Sequence, residues 1–491
     1  MSENPIPCSQ EPELIQGGMG VAVSDWRLAN TVAKAGERLG RSVLGVVSGT
    51  GIAGVVLDRL RLGDTDALRA LQAFPVPEIA QEIQDEYWLK KISQFRLPPK
   101  PEVLVNGSDK RKAWATKILI VANFAEVWLA KQGHSSPIGI NYLEKVQLSH
   151  LPEIYGAMLA GVDYVLMGAG LPNQIPDILD RFAAHEAASY RIDVSGAEKY
   201  VLTFDPATIV PEEKRRALKR PKFLAIVSLQ VAAQVLVQKT KGEVNGFIVE
   251  GPTAGGHNAP PRGKEIDENG EPLYGPKDVP DLSKIQQLGK PFWLAGGQAK
   301  PESLQKAKEA GAVGIQIGSA FALSNESAMN EGAKEQLRKR GFRGDIKVIA
   351  SPTASPSGFP FQVAQLDGTL SEESVYAVRE RDCIYGYLVE PYLTKKGSIA
   401  FRCPAEPVAA YVAKGGKEED TVGRKCLCAG LAATVGHTQP GQPEIVTLGK
   451  DLGFLRELMA DADSSYSAED VIEHIYRLSS RKESSAVLSA R

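Results

Sequence analysis

Short apolar runs, most of them ending in glycine, recur along the first two thirds of the chain and have the length of buried strands. Helical patterns follow most of these runs, as expected for a parallel sheet with crossover helices. Eight such runs predict an α/β fold closed as a TIM (β/α)8 barrel. A doubly wound sheet is the alternative, but it would need only one glycine-rich loop at its ligand site, whereas here glycines end at least six strands. The eight runs are residues 14–16, 42–47, 137–141, 164–167, 223–227, 246–249, 292–295 and 314–317.

Helix boundary signals accompany two of the runs. Ser24 precedes an apolar periodic stretch and predicts the N-cap of a helix that continues through Lys34. Between the last two strands, Pro301 predicts the first helical position and Gly311 the stop. The last two runs therefore form a strand, helix, strand unit, which is the building block of a barrel.

The chain is longer than a barrel requires. It has 491 residues, against about 250 for a typical TIM barrel. We predict that the barrel comprises residues 1–48 and 137–341, with a helical insertion at 49–136 near the site, after the second strand. Residues 342–491 would form a crossover segment and a C-terminal extension. Residues 200–204 form an additional strand pattern, and the sequence does not fix its place.

Charge and hydropathy exclude two classes of partner. A formal net charge of -2 gives no basic surface for nucleic acid and no polybasic membrane patch. The apolar stretch 223–238 is interrupted by Ser228, Gln230 and Gln234, so it does not predict a bilayer span. The first residues lack the basic and apolar regions of a signal peptide. We therefore predict a cytoplasmic protein with no membrane partner.

Four of the five cysteines lie in the extension, at Cys383, Cys403, Cys426 and Cys428. Four thiols can hold zinc or an iron–sulfur cluster, but such sites usually present two close pairs and only one C-x-C pair occurs here. We predict reduced structural thiols, one of which could line the site, and no metal. The extension is rich in turn residues and is predicted to border or cap the pocket at the barrel's C-terminal face, with packing elsewhere on the barrel or a homodimer interface as the alternatives.

The candidate chemistry lies at the ends of the last three strands. Glu250 begins a loop that continues to Gly255, Gly256 and His257. Paired glycines let main chain approach a flat ligand closely, and a histidine beside them suits proton transfer at a bound substrate. The next two strands end in Gly296-Gly297 and Gly318-Ser319, the position where barrels commonly bind phosphate through backbone N–H groups.

These segments resemble the nitronate monooxygenase family, also called 2-nitropropane dioxygenases. The resemblance rests on Leu14-Ile-Gln-Gly-Gly-Met-Gly, Leu44-Gly-Val-Val-Ser-Gly-Thr-Gly, Gly139-Ile-Asn, Ala254-Gly-Gly-His, Ala295-Gly-Gly and Gln316-Ile-Gly-Ser, and it spans about residues 14–365. Flavin enoyl-carrier-protein reductases share much of the pattern. The resemblance implies a TIM barrel that holds FMN without a covalent bond.

Family roles carry over by position. The resemblance implies that His257 faces the substrate and that Glu250 stands where the family usually has glutamine. A carboxylate there would be repelled by reduced, anionic flavin unless it is protonated or paired. Arg262 is a further candidate for anion binding, although a solvated arginine is the commoner outcome, and Phe359 replaces an arginine usual in the crossover segment. The implied FMN-binding residues are Gly17, Gly18, Met19, Ser48, Asn141, Glu250, Gly255, Gly256, Gly296, Gly297, Gln316, Gly318 and Ser319.

Three functions remain open from the sequence. The leading expectation is an oxidoreductase that oxidises alkyl nitronates with molecular oxygen, because His257 matches the family's substrate-facing histidine. The second is an NAD(P)H-dependent reductase of enoyl thioesters, since the extra segments can shape a longer pocket. The third is a non-catalytic flavin-binding protein. Each has small-molecule ligands rather than nucleic acid.

Overall fold

The computed structural model describes residues 11–91 and 98–477. The first ten residues of the segment that was considered for a signal peptide lie outside these ranges. The strands are β1 (Leu14–Gln16), β2 (Val43–Ser48), β3 (Ile138–Leu143), β4 (Tyr164–Gly168), β5 (Ala188–Ile192), β6 (Tyr200–Phe204), β7 (Lys222–Val227), β8 (Gly246–Glu250), β9 (Phe292–Ala295), β10 (Gly314–Ile317), β11 (Val348–Ser351), β12 (Phe361–Ala364), β13 (Glu390–Leu393) and β14 (Ile399–Arg402).

Helices surround the strands and continue into the C-terminal part of the chain. They are α1 (Trp26–Leu39), α2 (Ile52–Arg61), α3 (Thr65–Gln72), α4 (Pro77–Tyr87), α5 (Val103–Asn106), α6 (Asp109–Ala130), α7 (His150–Leu159), α8 (Ile175–Ala183), α9 (Gln230–Lys239), α10 (Leu282–Gln286), α11 (Ser303–Glu309), α12 (Ser319–Ala322), α13 (Glu331–Arg343), α14 (Glu373–Val378), α15 (Val408–Ala413), α16 (Leu427–Ala433) and α17 (Leu455–Leu458). Residues 468–477 are also helical.

Eight parallel strands close into a barrel in the order β1, β2, β3, β4, β7, β8, β9, β10 and back to β1. The predicted TIM barrel and its eight strand positions are confirmed. The barrel interior is filled by large apolar side chains, among them Leu166, Ile248 and Trp293. The Trp293 indole donates to the Pro12 carbonyl at 2.6 Å, which ties the N-terminal segment to the barrel floor. The interior is thus a packed core, and the ligand site must lie above it.

The first helix differs from its prediction. Asp25, not Ser24, is the N-cap of α1, because its carboxylate accepts hydrogen bonds from the backbone N–H groups of Arg27 and Leu28. The helix also runs beyond Lys34 to Leu39. Ser24 turns the other way: its hydroxyl accepts from the Met19 N–H at 2.7 Å. Ser24 therefore fixes the glycine loop after β1 rather than the helix.

The segment between β2 and β3 is helical, and its last helix belongs to the barrel's outer layer. α6 packs against α1 and α7. It has the length and composition of a membrane span, with a mean hydropathy of 1.3, but 72% of the relevant window is buried inside the protein. This burial explains the composition of α6, because a helix enclosed on most sides needs an apolar surface on most sides.

Three antiparallel strand pairs lie outside the barrel. β5 pairs with β6, which confirms the strand predicted at residues 200–204 and shows that it lies outside the barrel. β11 pairs with β12, and β13 with β14. The loop between β11 and β12 crosses the barrel mouth, since Asn258 N–H donates to the Pro360 carbonyl and Gln362 N–H to the Gly256 carbonyl, each at 2.9 Å. These two hydrogen bonds join the segment that was predicted as a crossover to the loop that follows β8.

Residues 444–451, the return segment, bring the C-terminal part of the chain back to the barrel mouth. Gly256 N–H donates to the Thr447 hydroxyl at 2.7 Å. Gly449 N–H donates to the Ser319 hydroxyl at 2.7 Å, and Lys450 N–H to the Thr253 carbonyl at 2.9 Å. The return segment therefore bridges the loops that follow β8 and β10.

Candidate active site

Two adjoining cavities open at the carboxyl ends of the barrel strands. The inner cavity has about 980 Å³ of open space, and the glycine cavity beside it about 890 Å³. They share Gly18, Glu250 and Gln316 in their walls. His257 and all the implied FMN-binding residues line at least one of them: His257, Ser48 and Asn141 the inner cavity, Gly17, Met19, Gly296, Gly297, Gly318 and Ser319 the glycine cavity, and Gly18, Glu250, Gly255, Gly256 and Gln316 both.

Missing side chains give the cavities their shape. A Cβ on Gly18 would lie 2.2 Å from the Cβ of Asn141, so only glycine lets these two loops meet. A Cβ on Gly255 would lie 2.9 Å from the Leu448 carbonyl carbon of the return segment. Gln316 reaches both cavities, and its buried Oε1 has no hydrogen-bond partner among the described residues. An unpaired buried acceptor beside a flat opening fits the ring N–H of an isoalloxazine.

The far end of the glycine cavity has the features of a phosphate site. Gly296 and Gly297 adopt positive φ angles of 90° and 67°, which glycine alone adopts without strain. Ser319 begins α12, so the first backbone N–H groups of that turn have no acceptor within the helix. The Ser319 hydroxyl accepts from Gly449 and keeps its own proton for a ligand. These groups suit the phosphate of a flavin nucleotide without a basic side chain.

Glu250 lies at the junction of the two cavities, at the end of β8. Burial raises the pKa of its carboxyl to about 8. The side chain is half-buried, and its open part faces the cavities rather than bulk water. Glu250 is therefore protonated at neutral pH. This meets the condition under which a carboxyl can stand beside an anionic flavin.

His257 is held in one orientation at the wall of the inner cavity. Its Nε2 lies 2.7 Å from the Ser355 hydroxyl of the crossover loop. Its ring packs edge-on against Phe361, with centroids 4.8 Å apart. Burial lowers the pKa of His257 to about 4. The imidazole is therefore neutral at working pH, so it can donate or accept a hydrogen bond but carries no positive charge.

The extension supplies the remaining wall of the inner cavity, as the sequence predicted. Tyr387, Leu388, Leu427, Cys428 and Leu431 line it together with Ile226 and Leu143 of the barrel. Within residues 11–91 and 98–477, none of the side chains lining this cavity is a lysine or an arginine. The inner cavity is thus an apolar chamber with a few neutral polar groups.

Sequence reasoning missed the contribution of the return segment. Thr447 lines both cavities, while Leu448, Gly449 and Asp451 line the glycine cavity. No motif marks these residues, because their role comes from contacts with loops far away in the chain. Arg262, by contrast, is exposed and lines neither cavity.

The four cysteines of the extension are free thiols, of which Cys403 is buried and the other three are half-buried. Burial raises the pKa of Cys426 to about 11 and also raises the pKa of Cys383, Cys403 and Cys428. Each of these thiols is therefore protonated at neutral pH. In the part of the chain that the structure describes, no group of three or more His, Cys, Asp or Glu residues has the arrangement of a metal site. Cys428 is the one that lines the inner cavity.

Comparison with solved structures finds chains of similar length and low identity. FabK from Thermotoga maritima is 15% identical, with 98% of this chain and 96% of that chain covered and a TM-score of 0.46. Nitroalkane oxidase from Streptomyces ansochromogenes is 14% identical, with 97% of each chain covered and a TM-score of 0.44. The enoyl reductase domain of MlnA from the macrolactin biosynthesis cluster of Bacillus amyloliquefaciens is 13% identical, with 97% of each chain covered and a TM-score of 0.47.

A search of curated proteins finds no match to the sequence. The family model "Nitronate monooxygenase" matches residues 183–356. This span is shorter than the resemblance drawn from the sequence motifs, and it contains Glu250, His257, Gly297 and Ser319. The resemblance drawn from the sequence motifs is therefore confirmed over this span: residues 183–356 are similar to nitronate monooxygenases.

Proposed function

We propose that the protein is an FMN-dependent reductase of α,β-unsaturated acyl thioesters that takes its electrons from NAD(P)H. The apolar inner cavity without lysine or arginine in its described wall carries this proposal. An acyl chain is neutral and apolar, and it gains free energy from burial against Leu388, Leu427 and Leu431. The proposal thus follows from the chemistry of the chamber rather than from the barrel, which serves several flavin reactions.

A nitronate is a poorer match to this chamber. It is an anion, and an anion moved out of water without a cationic partner costs several kcal/mol. His257 is neutral, because burial lowers its pKa to about 4. The other titratable group at the flavin side, Glu250, turns negative rather than positive when it ionises. The charges at the site therefore favour a neutral substrate.

A third cavity adjoins the chamber and offers room for a long substrate. The outer cavity has about 1210 Å³ of open space and shares Tyr387 and Leu388 with the inner cavity. Lys145 and Phe359 lie in its wall, with the ammonium 5.4 Å from the ring centroid. A thioester on a long flexible arm would extend from the inner through the outer cavity, whereas a small nitroalkane has no use for this space.

The residues divide into binding and polar roles. Bound FMN would supply hydride transfer to the substrate's activated double bond. The N–H groups around Gly297, Gly318 and Ser319 would hold its phosphate, and Gln316 would accept a hydrogen bond from its ring. Neutral Glu250 would avoid repelling the reduced cofactor. His257 would offer a hydrogen bond to the substrate where negative charge develops.

Oxidation of alkyl nitronates with molecular oxygen is the second candidate. The match of residues 183–356 to the nitronate monooxygenase model favours it. His257 lies within this span and lines the cavity where that substrate would bind.

Anaerobic bleaching of the flavin absorption separates the candidates. We expect NADPH alone to bleach the purified enzyme and crotonyl-CoA to restore the colour. Bleaching by ethylnitronate alone, with none by NADPH, would establish the second candidate instead. An enzyme bleached by neither would be a non-catalytic flavin-binding protein. Acid release should give one FMN per chain, and a protein that stays colourless after incubation with FMN would refute all three.

A further inference from the structure

The partner of His257 comes from outside the barrel and is completely enclosed. Ser355 lies in the crossover loop between β11 and β12 and is 0% exposed. Its hydroxyl is 2.7 Å from His257 Nε2. Since Nε2 is committed to this buried contact, Nδ1 is the ring nitrogen left for the inner cavity, which His257 lines. Whether Ser355 donates to Nε2 or accepts from it therefore decides whether Nδ1 of His257 carries a proton towards a substrate.

The hydrogen-bond partners of Ser355 indicate which atom donates in its contact with His257. Ser355 Oγ accepts from the Ser357 backbone N–H at 3.2 Å and lies 2.8 Å from the Ser357 hydroxyl. The Ser357 oxygen in turn accepts from the Phe359 N–H at 3.4 Å. When the Ser357 hydroxyl donates to Ser355, both donors of Ser357 are directed at the Ser355 oxygen, and the Ser355 proton is left for Nε2. His257 then carries its own proton on Nδ1.

The extension holds Ser355 in place. Arg424 donates through Nη1 to the Thr353 carbonyl at 3.0 Å and to the Ser355 carbonyl. Its Nε donates to the Asp420 carbonyl at 3.0 Å, so the guanidinium joins the two segments. The next residue adds a backbone bond, from Lys425 N–H to the Ala354 carbonyl at 2.9 Å. The crossover loop is thus fastened on both sides of Ser355.

We propose that Ser355 is a positioning residue that keeps His257 in the Nδ1–H tautomer, that Arg424 holds Ser355 for this task, and that the Nδ1–H donates a hydrogen bond to the substrate's carbonyl oxygen. The tautomer and its support are independent of the reaction, whereas the last step rests on the proposed reductase function. The extension then builds the catalytic geometry, besides enclosing the cavity. Burial lowers the pKa of His257 to about 4, which keeps the ring neutral and makes its tautomer decisive.

Nitrogen-15 NMR of the full-length holoenzyme labelled at histidine tests the tautomer directly. The chain has 6 histidines, and the signal lost in His257→Gln identifies the right one. We expect the wild type to show protonated Nδ1, Ser355→Ala to shift towards protonated Nε2 or a mixture, and Ser355→Thr to restore the wild-type signal through its hydroxyl. Protonated Nε2 in the wild type, or an unchanged signal in Ser355→Ala, would overturn the assignment.

Half-reaction kinetics test the donated hydrogen bond. In Ser355→Ala and Arg424→Gln we expect reoxidation by crotonyl-CoA to slow by roughly 10–100-fold, the range for loss of a partner that orients a functional imidazole. Reduction by NADPH and the FMN content should stay unchanged, and Arg262→Gln serves as the matched control on an exposed arginine. Equal reoxidation rates in all variants would refute the donor role. Failure of the wild type to react with crotonyl-CoA would instead refute the proposed function, and with it the carbonyl donor role, while the NMR result still decides the tautomer.

Discussion

Gly318 offers a way to remove the cofactor without disturbing the fold. It lies just before α12 with φ -108° and ψ -72°, which other residues also adopt. A Cβ there would meet only the Met19 sulfur, at 3.8 Å. The Cβ of Gly318→Val would therefore strain no neighbour, and the side chain would occupy the space that we assign to the flavin phosphate. We expect a folded protein that no longer retains FMN.

The size of the effect follows from the lost contacts. Each hydrogen bond to a charged group contributes about 1.5–3 kcal/mol. Loss of two at the phosphate would raise the Kd for FMN by roughly 10²–10⁴-fold. Calorimetric titration of the apoprotein with FMN measures the change, and circular dichroism checks the fold. Gly275→Val is the control, because Gly275 has a similar φ of -111°, has open space around it and lines neither cavity. A folded Gly318→Val protein that binds FMN as tightly as the wild type would disprove the phosphate assignment.

Three further substitutions test the site. The pKa of Glu250 is about 8 in the folded protein, against an ordinary value of 4.5. Between these pH values the folded state holds a proton on Glu250 that the unfolded state has lost, so the free energy of unfolding falls as the pH rises. Between pH 5.5 and 7.5 the free energy of unfolding of the apoprotein, measured with urea, should fall by about 2 kcal/mol less in Glu250→Gln than in the wild type. If its pH dependence is the same in both proteins, the carboxyl of Glu250 is not neutral. Leu431→Trp should narrow the inner cavity and raise the KM for long enoyl thioesters more than the KM for crotonyl-CoA, because each methylene that no longer fits loses about 0.8 kcal/mol of binding free energy. The control Val412→Trp lies on the exposed face of α15. Its KM values should depend on the length of the acyl chain no more than those of the wild type. His257→Ala should keep FMN and slow reoxidation by the thioester by about 10²–10³-fold, and normal reoxidation would make the histidine structural.

The barrel was readable from the sequence because its signals are local. Each strand is a short apolar run, and glycines such as Gly168, Gly297 and Gly318 mark where strands give way to loops. His257 and the glycine pairs were recognised for the same reason, since their positions depend on the strand just before them. The wrong N-cap at Ser24 shows the limit of this reading. Asp25 and Ser24 are both good caps, and the structure uses one for the helix and the other for the loop after β1.

The rest of the site depends on contacts between distant segments. Thr447 and Gly449 belong to no motif, yet they bond to Gly256 and Ser319. The hydroxyl of Ser355 bonds to His257, 98 positions away in the chain. The raised pKa of Glu250 likewise comes from burial that only the closed site provides. Local patterns therefore predicted residues that line the two cavities, but not the surroundings that set the charge of Glu250 and the orientation of His257.

The return segment affects when the site is completed during protein synthesis. The ribosome finishes the last barrel strand at Ile317, whereas the wall that contacts Ser319 and Gly256 is made only at residues 444–451. During synthesis, all eight barrel strands are therefore made before the return segment that completes the wall of the glycine cavity. A flavin held in the glycine cavity would therefore meet a complete wall only after the return segment has been made.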